Sequence, residues 1–216
     1  MRGLFWKDVL YLKNMWKMVL TSGLFIVVFY ILNPNNFNSV IFIAIIFGGN
    51  FSIIPFTYDN YSKWNTYQYA FPVSKKIVVC SRYLFGLTLF SICLLLSIFS
   101  MLLTEIEYLL FCSDVPPFTL QYVSSELLPI FLIPIMQAIS FPLMYRFGAE
   151  KGRIYILCFV AAIIALISII TIGMGYQIEN FSVSYFEMLI GVMGTAIIMY
   201  LLSLLLSIQI EQKKKN

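Results

Sequence analysis

Residues 18–58 read MVLTSGLFIVVFYILNPNNFNSVIFIAIIFGGNFSIIPFTY, without one Asp, Glu, Lys or Arg between Lys17 and Asp59. A helix needs about 20 mainly apolar residues to cross the hydrocarbon core of a bilayer, and this run is roughly twice that length. Its middle, Asn33-Pro34-Asn35-Asn36, is a turn sequence. The run therefore predicts two membrane-spanning helices, near residues 16–32 and 40–56.

Working outward, further charge-free runs lie between Arg82 and Glu105, Glu126 and Arg146, Arg153 and Glu179, and Glu187 and Glu211. A charge at mid-membrane costs roughly 2.5–3.5 kcal/mol on insertion scales, so each run is a candidate span. They predict helices near 83–103, 127–145, 154–172 and 188–210. Composition agrees: 61% of the 216 residues are hydrophobic and 11% charged, where a soluble domain carries about a quarter charged residues. The expectation is an all-α integral membrane protein, with residues 1–216 forming a single domain of six transmembrane helices.

If the loops alternate in side, all 14 basic residues fall together, in 2–17, 63–82, 146–153 and 213–215. The opposite loops carry Glu105, Glu107, Asp114, Glu126, Glu179 and Glu187, with no Lys or Arg. Cytoplasmic loops concentrate Lys and Arg, so both termini are expected inside, in a multi-pass protein of the cytoplasmic membrane. A cleavable signal peptide is not expected, because the first apolar run is too long and Asn33-Pro34-Asn35 offers no small-residue cleavage site. Cys112 lies in an outward loop, whereas Cys80, Cys93 and Cys158 do not, so no outward disulfide is expected.

Much chemistry is excluded. The chain has no histidine, hence no His-based triad or His metal site. It lacks the G-x-x-x-x-G-K-[ST] loop of nucleotide hydrolases. Cys and carboxylates are too scattered to form a metal cluster. No catalytic, cofactor-binding or metal-ligating residue is therefore expected, and no nucleic-acid partner. The spans also lack the ionisable residue that ion-coupled carriers often place on their path. Uphill transport would draw its energy from a partner.

Three segments on the basic side carry pattern. In residues 1–17, read as a helix, Leu4, Phe5, Val9, Tyr11, Leu12, Met15 and Trp16 share one half and Arg2, Lys7, Lys13, Asn14 and Lys17 the other. Asp8 interrupts the apolar half, and Trp6 and Leu10 interrupt the polar one. Such a basic amphipathic helix suits the headgroup layer, as a topology anchor or as a moving part. In residues 57–76, Tyr58, Tyr61, Trp64 and Tyr67 recur every third position, interleaved with Asp59, Asn60, Lys63 and Gln68, until Pro72 stops the pattern. Interfacial aromatics would give this spacing, and so would a docking helix, since Trp and Tyr make strong interface anchors. The third segment, Arg146-Phe147-Gly148-Ala149-Glu150-Lys151-Gly152-Arg153, has two glycines suited to a tight turn.

Taken together, several stretches resemble one family in their order along the chain. They are Arg2-Gly3-Leu4-Phe5-Trp6-Lys7-Asp8, then Tyr58-Asp59 through Trp64 and Tyr67 to Phe71-Pro72-Val73-Ser74-Lys75-Lys76, then Ser81-Arg82-Tyr83-Leu84 and Phe147 to Arg153. The chain resembles the compact membrane permease subunits of type-two ATP-binding-cassette (ABC) exporters, over essentially its whole length. The resemblance implies that 1–17 is an interfacial elbow helix and 57–76 a cytoplasmic coupling segment. Tyr58, Asp59, Asn60, Tyr61, Lys63, Trp64 and Tyr67 would then dock a separate ATPase. It further implies two ATPase copies per transporter and a second permease chain, identical or paralogous. Relatives in this class export antimicrobial or cytolytic peptides, so the implied substrate is an amphipathic peptide or another toxic amphiphile. The competing readings are an ATP-independent carrier and a non-transporting immunity or scaffold protein.

Smaller features bear on packing. Gly48, Gly49, Asn50, Ser52 and Pro55 weaken the apolar character of the second span, Pro129, Pro134 and Pro142 should kink or split the fourth, and Gly191 and Gly194 could seat the sixth against a neighbour.

Overall fold

The computed structural model describes residues 2–32, 37–68, 73–111, 123–124, 127–173 and 185–213, and no strand occurs among them. Helix α1 covers Arg2–Asn14, and α2 follows at Trp16–Leu32. Next come α3 (Phe37–Tyr61), the single turn α4 (Trp64–Tyr67) and α5 (Lys75–Phe111). A 3-10 turn at Leu128–Phe131 leads into α6 (Leu132–Gly173), and α7 covers Tyr185–Lys213. The chain is all-helical in these parts. By length and composition, Lys75–Leu102, Leu128–Ala162 and Phe186–Lys213 are long and apolar enough to cross a membrane.

Helix boundaries and charge boundaries differ. α2 coincides with the first predicted span, but α3 continues past Pro55 to Tyr61 and α5 begins at Lys75. A charge must leave the hydrocarbon, but it need not leave the helix. At about 1.5 Å per residue, the 37 residues of α5 reach about 55 Å, well beyond a core roughly 30 Å thick. The predicted spans at 127–145 and 154–172 are joined in α6 and separated only at Gly148, whose φ of 80° and ψ of 171° are non-helical. Pro129 lies in the 3-10 turn, and Pro142 lies inside α6. The expected turn at Asn33–Asn36, Cys112 and the 174–184 connection lie outside the described residues.

α6 and α7 share the most extensive helix contact; α3 packs against α6, α5 against both α6 and α7, and α3 and α5 against each other. Phe56, Val79, Tyr83, Ala138, Phe141, Met144, Tyr145, Ala149 and Tyr200 form the main buried cluster. Its rings meet edge-on: Tyr83 lies 4.9 Å from Phe141 and 5.1 Å from Tyr200, and Phe56 lies 5.1 Å from Tyr145. A polar seam runs beside them. The Tyr83 hydroxyl meets the hydroxyls of Ser203 at 2.6 Å and Ser207 at 2.8 Å. Tyr200 donates to the Tyr83 carbonyl, Ser203 to the Ala138 carbonyl and Gln137 to the Gly86 carbonyl. The missing side chain of Gly86 makes this closeness possible, since a Cβ there would lie 3.0 Å from both Gln137 Oε1 and the Tyr200 hydroxyl. A Cβ at Gly48 would meet Cys93 Sγ at 2.9 Å, whereas Gly191 and Gly194 face open space. Thus Gly86 and Gly48 seat helices within this chain, and the glycines of α7 do not.

Candidate functional site

α1, the end of α3 and the start of α5 meet around four charges. Asp8 comes from α1, and burial classes along that helix explain why. Phe5, Lys7, Asp8, Val9, Tyr11 and Leu12 lie partly or wholly covered, whereas Arg2, Trp6, Leu10 and Lys13 stay exposed. The residues that interrupt the amphipathic pattern are therefore informative. Asp8 turns inward to a charge, and Trp6 and Leu10 form an outward apolar edge.

The partner of Asp8 is Arg82, whose Nη1 donates to Asp8 Oδ1 at 2.9 Å. The other guanidinium nitrogen, Nη2, donates to Asp59 Oδ2. Lys7 Nζ completes the group, 2.6 Å from Asp59 Oδ1 and 3.6 Å from Asp8 Oδ1. Two cations and two carboxylates make a formally neutral quartet, with Asp8, Asp59 and Arg82 buried. Arg82 suits the centre because its planar fork can serve two carboxylates at once. Its guanidinium also stacks 4.7 Å above the Phe56 ring, which joins the quartet to the aromatic core. Burial pushes the Lys7 ammonium below the usual lysine range, with Arg82 adding to the effect. Burial likewise pushes the Asp8 carboxyl up, against the opposing pull of Arg82 and Lys7. Each charge is costly there without its neighbours.

The expected docking residues divide around this quartet. Asp59, 3% exposed, is held by Arg82 and Lys7. Tyr58 stacks on Tyr11 of α1 at 4.9 Å, and the Trp64 ring lies 4.8 Å beneath Lys7 Nζ. These three therefore face α1. The outward surface belongs to Asn60, Tyr61, Lys63 and Tyr67, with Tyr61 78% and Tyr67 62% exposed. The split arises from the backbone. α3 ends at Tyr61, and Lys63 takes a left-handed conformation, φ 52° and ψ 27°, before α4 begins. The Ser62 hydroxyl donates to the Tyr58 carbonyl at 2.8 Å, capping the helix end. One continuous docking helix was the sequence expectation; a helix end, a bend and a single turn take its place. Gly3, Leu4 and Lys7 of α1, with Trp64, Gln68, Val73 and Val78, enclose a crevice of about 300 Å³ beside the quartet.

Sequence reasoning missed Lys7, Asp8 and Arg82 as members of this site. A signal existed for Asp8, a carboxylate on an apolar helix face. Arg82 looked like an ordinary boundary charge.

The family described as "ABC-2 family transporter protein" matches residues 3–212. The chain belongs to the ABC-2 transporter family. No curated protein and no solved structure matches it. An ABC-2 permease is a membrane transport component, and the ATP hydrolysis that drives it takes place in an associated ABC ATPase. This ABC-2 chain is accordingly a membrane-located ABC permease subunit.

Proposed function

We propose that the permease crosses the cytoplasmic membrane six times with both termini inside, pairs with a second permease chain and two ATPase copies, and exports amphipathic peptides or similar amphiphiles. The resemblance of its ordered motifs to peptide exporters supports the substrate class, and the one-sided distribution of Lys and Arg supports the topology.

The observation that carries the coupling assignment is the braced, outward turn at residues 60–67. Tyr61 and Tyr67 expose large aromatic surfaces beside Lys63, in the composition of an interface anchor. Behind them, Asp59 is fastened through Arg82 to α1 and α5. A push on the turn by the ATPase would pass to these helices as one body, because the buried charges resist separation. Asp59 contributes as an internal tie, while Asn60, Tyr61, Lys63 and Tyr67 meet the partner.

Tyr61→Ala tests this reading. The exposed ring makes no core contact, so insertion and stability should match wild type. Loss of an aromatic anchor should cost about 2 kcal/mol or more of docking energy, roughly thirtyfold in affinity. Copurification of the ATPase should fall, together with ATP-dependent peptide transport in reconstituted vesicles. Normal ATPase capture and normal transport would remove the turn from the interface.

A further inference from the structure

The turn between the two limbs of α6 plays no part in the coupling reading, yet it is held firmly. Ala149 belongs to the buried core cluster, and Gly152 packs so tightly that a Cβ there would lie 2.8 Å from Met144 Sδ. On the outer side, Arg146, Lys151 and Arg153 are exposed. No carboxylate stands within 4.0 Å of these cations among the described residues. The Phe147 and Tyr155 rings meet at 4.5 Å across the turn, drawing together the two limbs that carry the cations. The Arg146 guanidinium lies 5.3 Å from the Phe147 ring centre.

The surface next to this turn decides between partners. Ile154 and Leu157 continue from Arg153 as an exposed apolar face, 61% and 70% exposed. The charges of the turn cannot lie in mid-bilayer at acceptable cost, so the turn marks a membrane–water boundary with the apolar face leading into the hydrocarbon. A partner matching both parts carries negative charge at one end and hydrocarbon at the other. An acidic protein surface matches the cations alone, and so does a free phosphate. Anionic phospholipid matches both, and Phe147 and Tyr155 lie at headgroup level, where aromatic rings concentrate.

We propose that Arg146, Lys151 and Arg153, with the Phe147–Tyr155 pair, form a binding site for the phosphate headgroup of an anionic phospholipid. The assignment rests on the membrane reading of the chain and is independent of the coupling turn.

The test uses the purified full chain in an uncharged detergent. Its melting temperature is followed during titration with phosphatidylglycerol, phosphatidylcholine or acyl-free glycerol phosphate. Phosphatidylglycerol should stabilise wild type, and the other two should not. A basic residue near an anionic surface contributes about 1 kcal/mol, so each cation removed should weaken apparent affinity about fivefold. Lys151→Gln should show one such step, and the Arg146→Gln/Lys151→Gln/Arg153→Gln variant about a hundredfold loss. Lys63→Gln, on the other turn, should leave affinity unchanged. If the triple variant fails to fold, the exposed Lys151→Gln carries the test alone. Equal phosphatidylglycerol affinity in wild type and Lys151→Gln overturns the site, and so does equal stabilisation by glycerol phosphate. Loss of ATPase capture with unchanged lipid affinity would reassign the turn to the ATPase.

Discussion

Removing Arg82 would leave Asp8 and Asp59 buried beside Lys7 alone. Breaking a buried ion pair by deleting one partner costs about 3–5 kcal/mol, because the other charge stays desolvated. Arg82→Gln is therefore expected to lower the melting temperature of the purified permease sharply. Adding Asp59→Asn should cost less than the two single effects combined, since one stranded charge is removed with its partner. Additive losses would show that the residues do not interact. The same geometry disqualifies a charge reversal at Asp59 as a docking test: a cation placed beside Lys7 and Arg82 would destabilise the fold directly. Tyr61 is the cleaner probe. Spacing alone put Tyr58, Asp59, Trp64 and Tyr61 on one segment, but the side each faces depends on the Lys63 bend and on α1. Both are outcomes of tertiary packing, which a periodicity of three residues does not encode.

At the scale of elements, the apolar runs at 16–32 and 40–56 fall within α2 and α3, those at 83–103 and 188–210 within α5 and α7, and those at 127–145 and 154–172 along the 3-10 turn and α6; three described stretches are long and apolar enough to cross a membrane. Their ends were less readable, because charges mark where a helix leaves the bilayer. Glycines divide along the same line. Gly148, at φ 80° and ψ 171°, holds a conformation almost closed to other residues, so Gly148→Ala should cost about 1–3 kcal/mol. Gly191→Ala meets nothing within 4 Å and should change the chain's stability by under about 0.5 kcal/mol. Thermal unfolding of the two variants in detergent checks the contrast, and a cost at Gly191 comparable to that at Gly148 would contradict it. The sequence already separates them in part, since Gly148 stands in the Arg146–Arg153 segment expected to turn and Gly191 inside a predicted span. Backbone conformation and neighbouring atoms tell them apart.

Across the whole molecule, polar interactions join parts that are remote in sequence. The Tyr83–Ser203–Ser207 seam ties α5 to α7, and the Arg82 quartet beside it ties α5 to α1 and α3. Each acts where water is scarce and an unpaired polar group is costly, which favours one register of the bundle over slipped alternatives. Orientation in the membrane is the remaining property of this scale, and it follows from charge. In the proposed topology Arg2 to Lys17, Lys63 to Arg82, Arg146 to Arg153 and Lys213 to Lys215 share one side, and inversion would place every basic residue of the chain outside. In that proposed topology the exposed Ser62, in the bend before α4, would report one side and Cys112 the other. In a background lacking the remaining cysteines, a membrane-impermeant thiol reagent should label Cys112 in intact cells. The Ser62→Cys variant, with Cys112 also removed, should react only after permeabilisation. Its hydroxyl caps the end of α3, and losing one surface hydrogen bond should cost about 1 kcal/mol, too little to reverse topology. Labelling of Ser62→Cys from outside, with Cys112 protected, would turn the bundle over and place the proposed ATPase surface on the wrong face. Labelling of both sites in intact cells would instead require an even number of crossings between residues 62 and 112, where the proposed six-span topology has one, and would remove that span count.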